Sequence, residues 1–87
     1  MAEVLLPMSL IQLFPGCPRR LRVEAATVRG VIDGLDERWP GMRNRLCASG
    51  PALRQHIRIF VDAELATLET PVATTSEVQI VPALSGG

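Results

Sequence analysis

Few residues of this 87-residue chain carry reactive groups. Cys17 and Cys47 lie far apart, there is no C-x-x-C pair, and one histidine, His56, cannot complete a four-ligand zinc site. The spacing predicts two independent reduced thiols, and nothing in the loop FPGCPR would lower the pKa of Cys17. His56, beside Arg58, reads as a solvated strand-end residue and not as an acid or base. What remains is the closing segment, VPALSGG, which places a free carboxylate on Gly87. A carboxylate is a poor electrophile and enters acyl transfer only after activation. Ala83, Leu84, Ser85, Gly86 and Gly87, fully extended, reach about 16 Å at roughly 3.3 Å per residue, enough to thread from a docked globule into an enclosed site. Lacking Cβ atoms, Gly86 and Gly87 can pass a narrow channel and present the terminal carbon. Ordering them costs about 1 kcal/mol per residue, which contacts along a channel would offset. The competing reading of the two glycines is a frayed end with no role.

Composition narrows the partners. All nine basic residues are arginine, so no ε-amine of this chain could attack an activated acyl group. Nine basic and nine acidic residues cancel, which gives no electrostatic case for capturing nucleic acid or an anionic membrane. The opening MAEVLLPMSL has an acid at Glu3, no basic lead-in and a break at Pro7; it reads as neither a signal peptide nor a span, and the expected location is cytoplasmic. Length and a 47% hydrophobic content fit one domain with a single core.

The elements that would position the closing segment follow from periodicity. EVLLP is an unalternating apolar run, as in a strand inside a sheet, and MSLIQLFPGCP has one helical turn's worth of spacing at Leu10, Leu13 and Phe14. RRLRVE alternates, with Leu21 and Val23 on one face, and should pair with the first strand. The clearest helix follows Thr27, a suitable N-cap, with Val28, Val31, Ile32, Leu35 and Trp39 on one stripe. Gly30 and Gly34, four apart, would let that helix approach a sheet closely, and Pro40 closes it. GMRNRL adds a turn with Met42 and Leu46 on one side. HIRIFV alternates, a weak strand is expected around Leu65 to Leu68, and EVQIVP turns Val78 and Ile80 inward.

One apolar helix stripe and one apolar sheet face bury each other, giving a two-layer α+β domain. Terminal strands running parallel in the middle, flanked by hairpins, produce the topology of ubiquitin. The expected organisation is a β-grasp domain over residues 1–82, with a mixed four- to five-stranded sheet packed on one main helix, and a flexible tail over 83–87 ending in Gly-Gly.

These residues resemble the small sulfur-carrier family that contains MoaD and ThiS, with CysO-type carriers as near relatives. The resemblance covers nearly the whole chain and rests chiefly on VQIVPALSGG, where strand, proline, short linker and Gly-Gly coincide. One departure is Asp62-Ala63, where relatives commonly carry Asn-Gly or Asp-Gly; alanine tolerates positive φ poorly, so a different turn or a looser loop is expected. The resemblance implies that an E1-like adenylating enzyme of the MoeB or ThiF type uses ATP to form an acyl-adenylate on Gly87. A sulfur donor then displaces AMP to leave a thiocarboxylate, which an acceptor synthase consumes. The chain would be a protein cosubstrate, or the small subunit of a synthase, that binds no cofactor or metal of its own. Molybdopterin, thiamine thiazole and cysteine synthesis all use such carriers, and VPALSGG leans towards the molybdopterin-synthase type.

A tail cannot select its enzyme unaided. Arg58, Phe60, Gln79 and Val81 point outward from the third and last main strands, and an apolar pair, Phe60 and Val81, rimmed by polar groups would make a docking face. The alternative is a Phe60 covered by Leu13 or Phe14 from the N-terminal loop. Two other functions share this architecture: a ubiquitin-like modifier conjugated through Gly87 to target lysines, and a ubiquitin-fold interaction subunit with an inert tail.

Overall fold

The computed structural model describes residues 1–48 and 52–82. Its first strand, β1 (Ala2–Leu5), buries Ala2 and Val4 and leaves Glu3 and Leu5 half-buried on the other face. Leu6 closes the strand in the core, and Pro7 starts a single turn, α1 (Met8–Ile11), which buries Leu10. The chain returns as β2 (Arg20–Val23), antiparallel to β1, with Leu21 and Val23 inward and Arg20 and Arg22 outward, as the alternation requires.

The long helix α2 (Val28–Arg38) begins where expected: the Thr27 Oγ1 accepts the Gly30 amide at 3.1 Å. Val28, Val31, Ile32 and Leu35 are buried along its inner face, and Trp39 packs half-buried against the core. Gly34 is where the helix meets the sheet; a Cβ there would lie 2.7 Å from Val23 Cγ1. Glycine at this position is thus a packing requirement of the α2–β2 contact, not a flexible joint. At Gly41 the chain takes φ +102°, a left-handed corner open to glycine, and starts α3 (Met42–Leu46). Asp36 Oδ1 accepts the amides of Gly41 at 3.1 Å and Arg43 at 2.9 Å, stabilising the corner. Met42 and Leu46 are fully buried on one side of α3, as their spacing predicts.

A small antiparallel ladder, β3 (Cys47–Ala48) with β4 (Ala52–Leu53), follows α3 and was not expected from the sequence. β5 (Ile57–Val61), β6 (Glu64–Leu65) and β7 (Glu77–Pro82) complete the main sheet, in the order β2-β1-β7-β5-β6. The first and last strands run parallel, Glu3 beside Glu77 and Leu5 beside Gln79, and every other pairing is antiparallel. This is the β-grasp architecture, with five strands in the main sheet and three helices.

Two local expectations are corrected. The strand anticipated from Leu65 to Leu68 is only Glu64–Leu65; the Ala66 amide still donates to Ile59 O at 2.8 Å, but Ala66 and Leu68 enter the core, and Thr70 Oγ1 accepts the Thr67 amide at 2.9 Å to turn the chain. In place of the different turn or looser loop expected at Asp62-Ala63 stands a tight two-residue hairpin, with Val61 opposite Glu64. Both central residues lie at positive φ, +51° at Asp62 and +71° at Ala63. Asp62 holds the turn from outside: its carboxylate accepts the Ser76 hydroxyl at 3.1 Å and the Glu77 amide at 2.9 Å, and its amide donates to Glu77 O at 2.9 Å. Ser76, buried, satisfies its own oxygen by accepting the Ala73 amide at 2.9 Å. Three bonds to β7 and its lead-in thus impose the geometry that Ala63 alone would resist.

Candidate functional site

β7 is the strand from which the closing segment departs. Val78 and Ile80 anchor it in the core at 0% and 1% exposure, with β1 on one side and β5 on the other. A strand held by two neighbours and two buried side chains is a rigid mount, and its last residue, Pro82, lies opposite Ile57. The tail residues Ala83, Leu84, Ser85, Gly86 and Gly87 lie outside the described residues.

The four outward residues proposed for docking come together through the β5–β7 register. Arg58 faces Val81 and Phe60 faces Gln79 across the ladder, so all four share the sheet face opposite α2. Gln79 and Arg58 are exposed; Phe60 and Val81 are half-buried. Phe14 does not cover Phe60: its ring lies beside Gly41, 3.5 Å from where a Cβ on that glycine would stand, in the helical layer. Leu13 is 48% exposed.

The register also adds residues that linear reading missed. Leu5 pairs with Gln79 on one side and Arg20 on the other, and Leu65 pairs with Phe60. One row across the open face therefore reads Arg20, Leu5, Gln79, Phe60, Leu65, with Leu65 66% exposed. The side that Leu5 takes follows only once Val4 is placed in the core, because the unalternating run EVLLP carries no period that assigns it. Beyond this row the sheet end opens into a cleft of about 380 Å³, lined by Leu5, Pro7, Arg19, Arg20, Gln79 and Val81 among others.

The remaining reactive groups are quiet. Burial pushes both thiols above their ordinary pKa; at Cys47 the guanidiniums of Arg43, Arg29 and Arg54 oppose that shift without reversing it. Both cysteines are free. Among the described residues no cluster of His, Cys, Asp or Glu could hold a metal, and no helix is long and apolar enough to cross a membrane. His56 is exposed at the approach to β5.

A single long helix laid across a five-stranded mixed sheet, with the last strand central and leading directly into the closing segment, defines a ubiquitin-like protein. The ThiS family model matches residues 13–87, and the chain belongs to the ThiS family. Solved structures agree. The Amycolatopsis orientalis BexX/CysO complex contains a chain 26% identical, with a TM-score of 0.86 and 100% of each chain covered. Mycobacterium tuberculosis CysO is 27% identical, with a TM-score of 0.87 over 97% of this chain and 100% of that one. SAMP1 from Haloferax volcanii is 28% identical, with a TM-score of 0.81 over 99% and 98%. Comparison with curated protein sequences gives no significant match. Family and fold together make this a ubiquitin-like sulfur carrier or modifier.

Proposed function

We propose that the chain is a sulfur carrier whose Gly87 carboxylate is the working group. An E1-like adenylating enzyme of the MoeB or ThiF kind joins it to AMP at the expense of ATP, releasing pyrophosphate. A sulfur donor then attacks the acyl carbon, AMP leaves, and a thiocarboxylate remains on Gly87 for an acceptor synthase. The carrier contributes no acid, base or metal and serves as a protein cosubstrate. The observation that carries this reading is that the family match runs through Gly86 and Gly87, directly beyond a strand anchored in the core.

One of the solved structures is a CysO and another a BexX/CysO complex, and this favours a CysO-type carrier over the molybdopterin-synthase type that VPALSGG suggested. The open face of Leu5, Phe60, Leu65 and Val81 around Gln79 is the docking surface in this reading, with Arg58 on its border. A second reading, conjugation through Gly87 to target lysines, draws support from the likeness to the H. volcanii small archaeal modifier protein 1, at 26% identity and a TM-score of 0.80. Incubation with an adenylating enzyme from the same genome, ATP and sulfide separates the two by intact mass. Exchange of one oxygen for sulfur supports the carrier; lysine-linked conjugates in a cell extract, without that exchange, support the modifier.

A further inference from the structure

The chain as a whole is neutral, but the open sheet face is not. At the end away from the tail, the row containing Glu3 holds Arg22, Glu3 and Glu77 in register, with Asp62 hydrogen-bonded to the Glu77 amide. That row carries three carboxylates and one guanidinium. The middle row, from Leu5 to Leu65, is apolar apart from Gln79 and from Arg20 at its border. Towards the tail end, Arg58 stands opposite Val81, and Arg19 and Arg20 line the cleft that Val81 also lines; among the described residues, the one sheet carboxylate that reaches this group is Glu3, through Arg20. Arg58 is held in place, its Nη1 donating to the carbonyls of Gln55 at 2.9 Å and Ile57 at 3.1 Å. Arg19 donates to Leu6 O at 3.5 Å, beside the cleft. Arg20 has one carboxylate contact, to Glu3 at 3.4 Å, with 64% of its side chain exposed. In the helical layer, by contrast, Arg29 and Arg43 are spoken for by Glu69 and by Asp33 and Asp36.

We infer that the guanidiniums around the departure point of β7 receive an acidic rim on the partner protein, surrounding the opening into which the tail is threaded. The inference rests on the carrier reading and adds the chemistry of the partner's surface to it. A face that is negative at one end, apolar in the middle and positive where the tail leaves has one favoured orientation against a complementary surface. Docked the other way round, Glu3, Asp62 and Glu77 would meet the acidic rim, and like charges so placed are costly. Field steering would also raise the encounter rate, and added salt would remove that gain. Aim matters more for this molecule than for most, because a tail of about 16 Å at roughly 3.3 Å per residue misses its target if the globule docks reversed.

The test uses the full chain, labelled with nitrogen-15 and titrated with a blocked tetrapeptide of alternating glutamate and aspartate. Amide shifts should concentrate at Arg19, Arg20, Arg58 and Val81 and vanish in about 1 M salt, where the Debye length is about 3 Å. Joint Arg20→Glu and Arg58→Glu substitution should abolish them, whereas Arg22→Glu, in the far row, should leave them in place. Both variants alter exposed positions, and their own spectra report whether they are folded. Shifts that are equal or larger at Arg38 and Arg45 of the helical layer, or that survive the double substitution, would overturn the inference. Sulfur loading of Gly87 is read separately by mass. A chain that loads sulfur but shows no peptide shifts at the tail end refutes the arginine collar and leaves the carrier reading standing.

Discussion

Ala63 adopts φ +71°, a conformation that costs an L-residue with a Cβ roughly 1–2 kcal/mol. Replacing it with glycine removes that cost and offsets it partly with greater freedom in the unfolded chain, so Ala63→Gly should raise stability by about 1 kcal/mol in denaturant unfolding. The opposite sign is expected at Gly34. An alanine there gains about 1 kcal/mol in helix propensity but pushes its Cβ to 2.7 Å from the stiff, buried Val23, and overpacking costs about 1–3 kcal/mol. Gly34→Ala should therefore lower the unfolding midpoint, and Gly34→Ala combined with Val23→Ala should recover part of the loss. Both thiols should react slowly with iodoacetamide at neutral pH, because burial raises their pKa and leaves little thiolate; alkylation should accelerate as pH rises past the ordinary thiol range.

Elements were readable where one periodicity dominated. Thr27 and the stripe from Val28 to Leu35 gave α2 its start and its inner face, and the alternation in RRLRV and HIRIFV gave β2 and β5 their burial. The signal failed where pairing partners decide the outcome. β3 and β4 are two residues each, too short for any pattern, and Leu68 is apolar because it fills the core beneath a turn, not because it continues a strand. At Asp62-Ala63 the local preference of alanine was read correctly, and it is overridden by bonds from Ser76 and Glu77, fourteen and fifteen positions away from Asp62. The open sheet face was legible as four outward residues, but its extent was not: Leu5 and Leu65 join it only through the inter-strand register. A substitution pair tests that face. Ile59→Ala, at a fully buried position, should cost about 2–5 kcal/mol, and Phe60→Ala, on the open side, less than half as much while weakening partner binding. Equal losses would place Phe60 in the structural core.

At the scale of the molecule, the carrier reading assigns stability to the globule and reactivity to Gly87. The core, built from both layers around residues such as Leu35, Ile59 and Ile80, keeps β7 fixed as far as Ile80 and Val81. Stability and reactivity should then be separable: deletion of Gly87 should leave the unfolding midpoint unchanged within error and stop acyl-adenylate formation. Arginine in place of lysine throughout adds a practical consequence, since trypsin cuts last after Arg58 and leaves the whole of 59–87 as one peptide.

That peptide permits the most direct measurement. After reaction with the adenylating enzyme, ATP and sulfide, its mass should rise by the difference between sulfur and oxygen, with fragmentation assigning the change to Gly87. An unaltered peptide alongside ATP turnover by the partner, or sulfur assigned by fragmentation to a residue other than Gly87, would contradict a carrier that works through its terminal carboxylate.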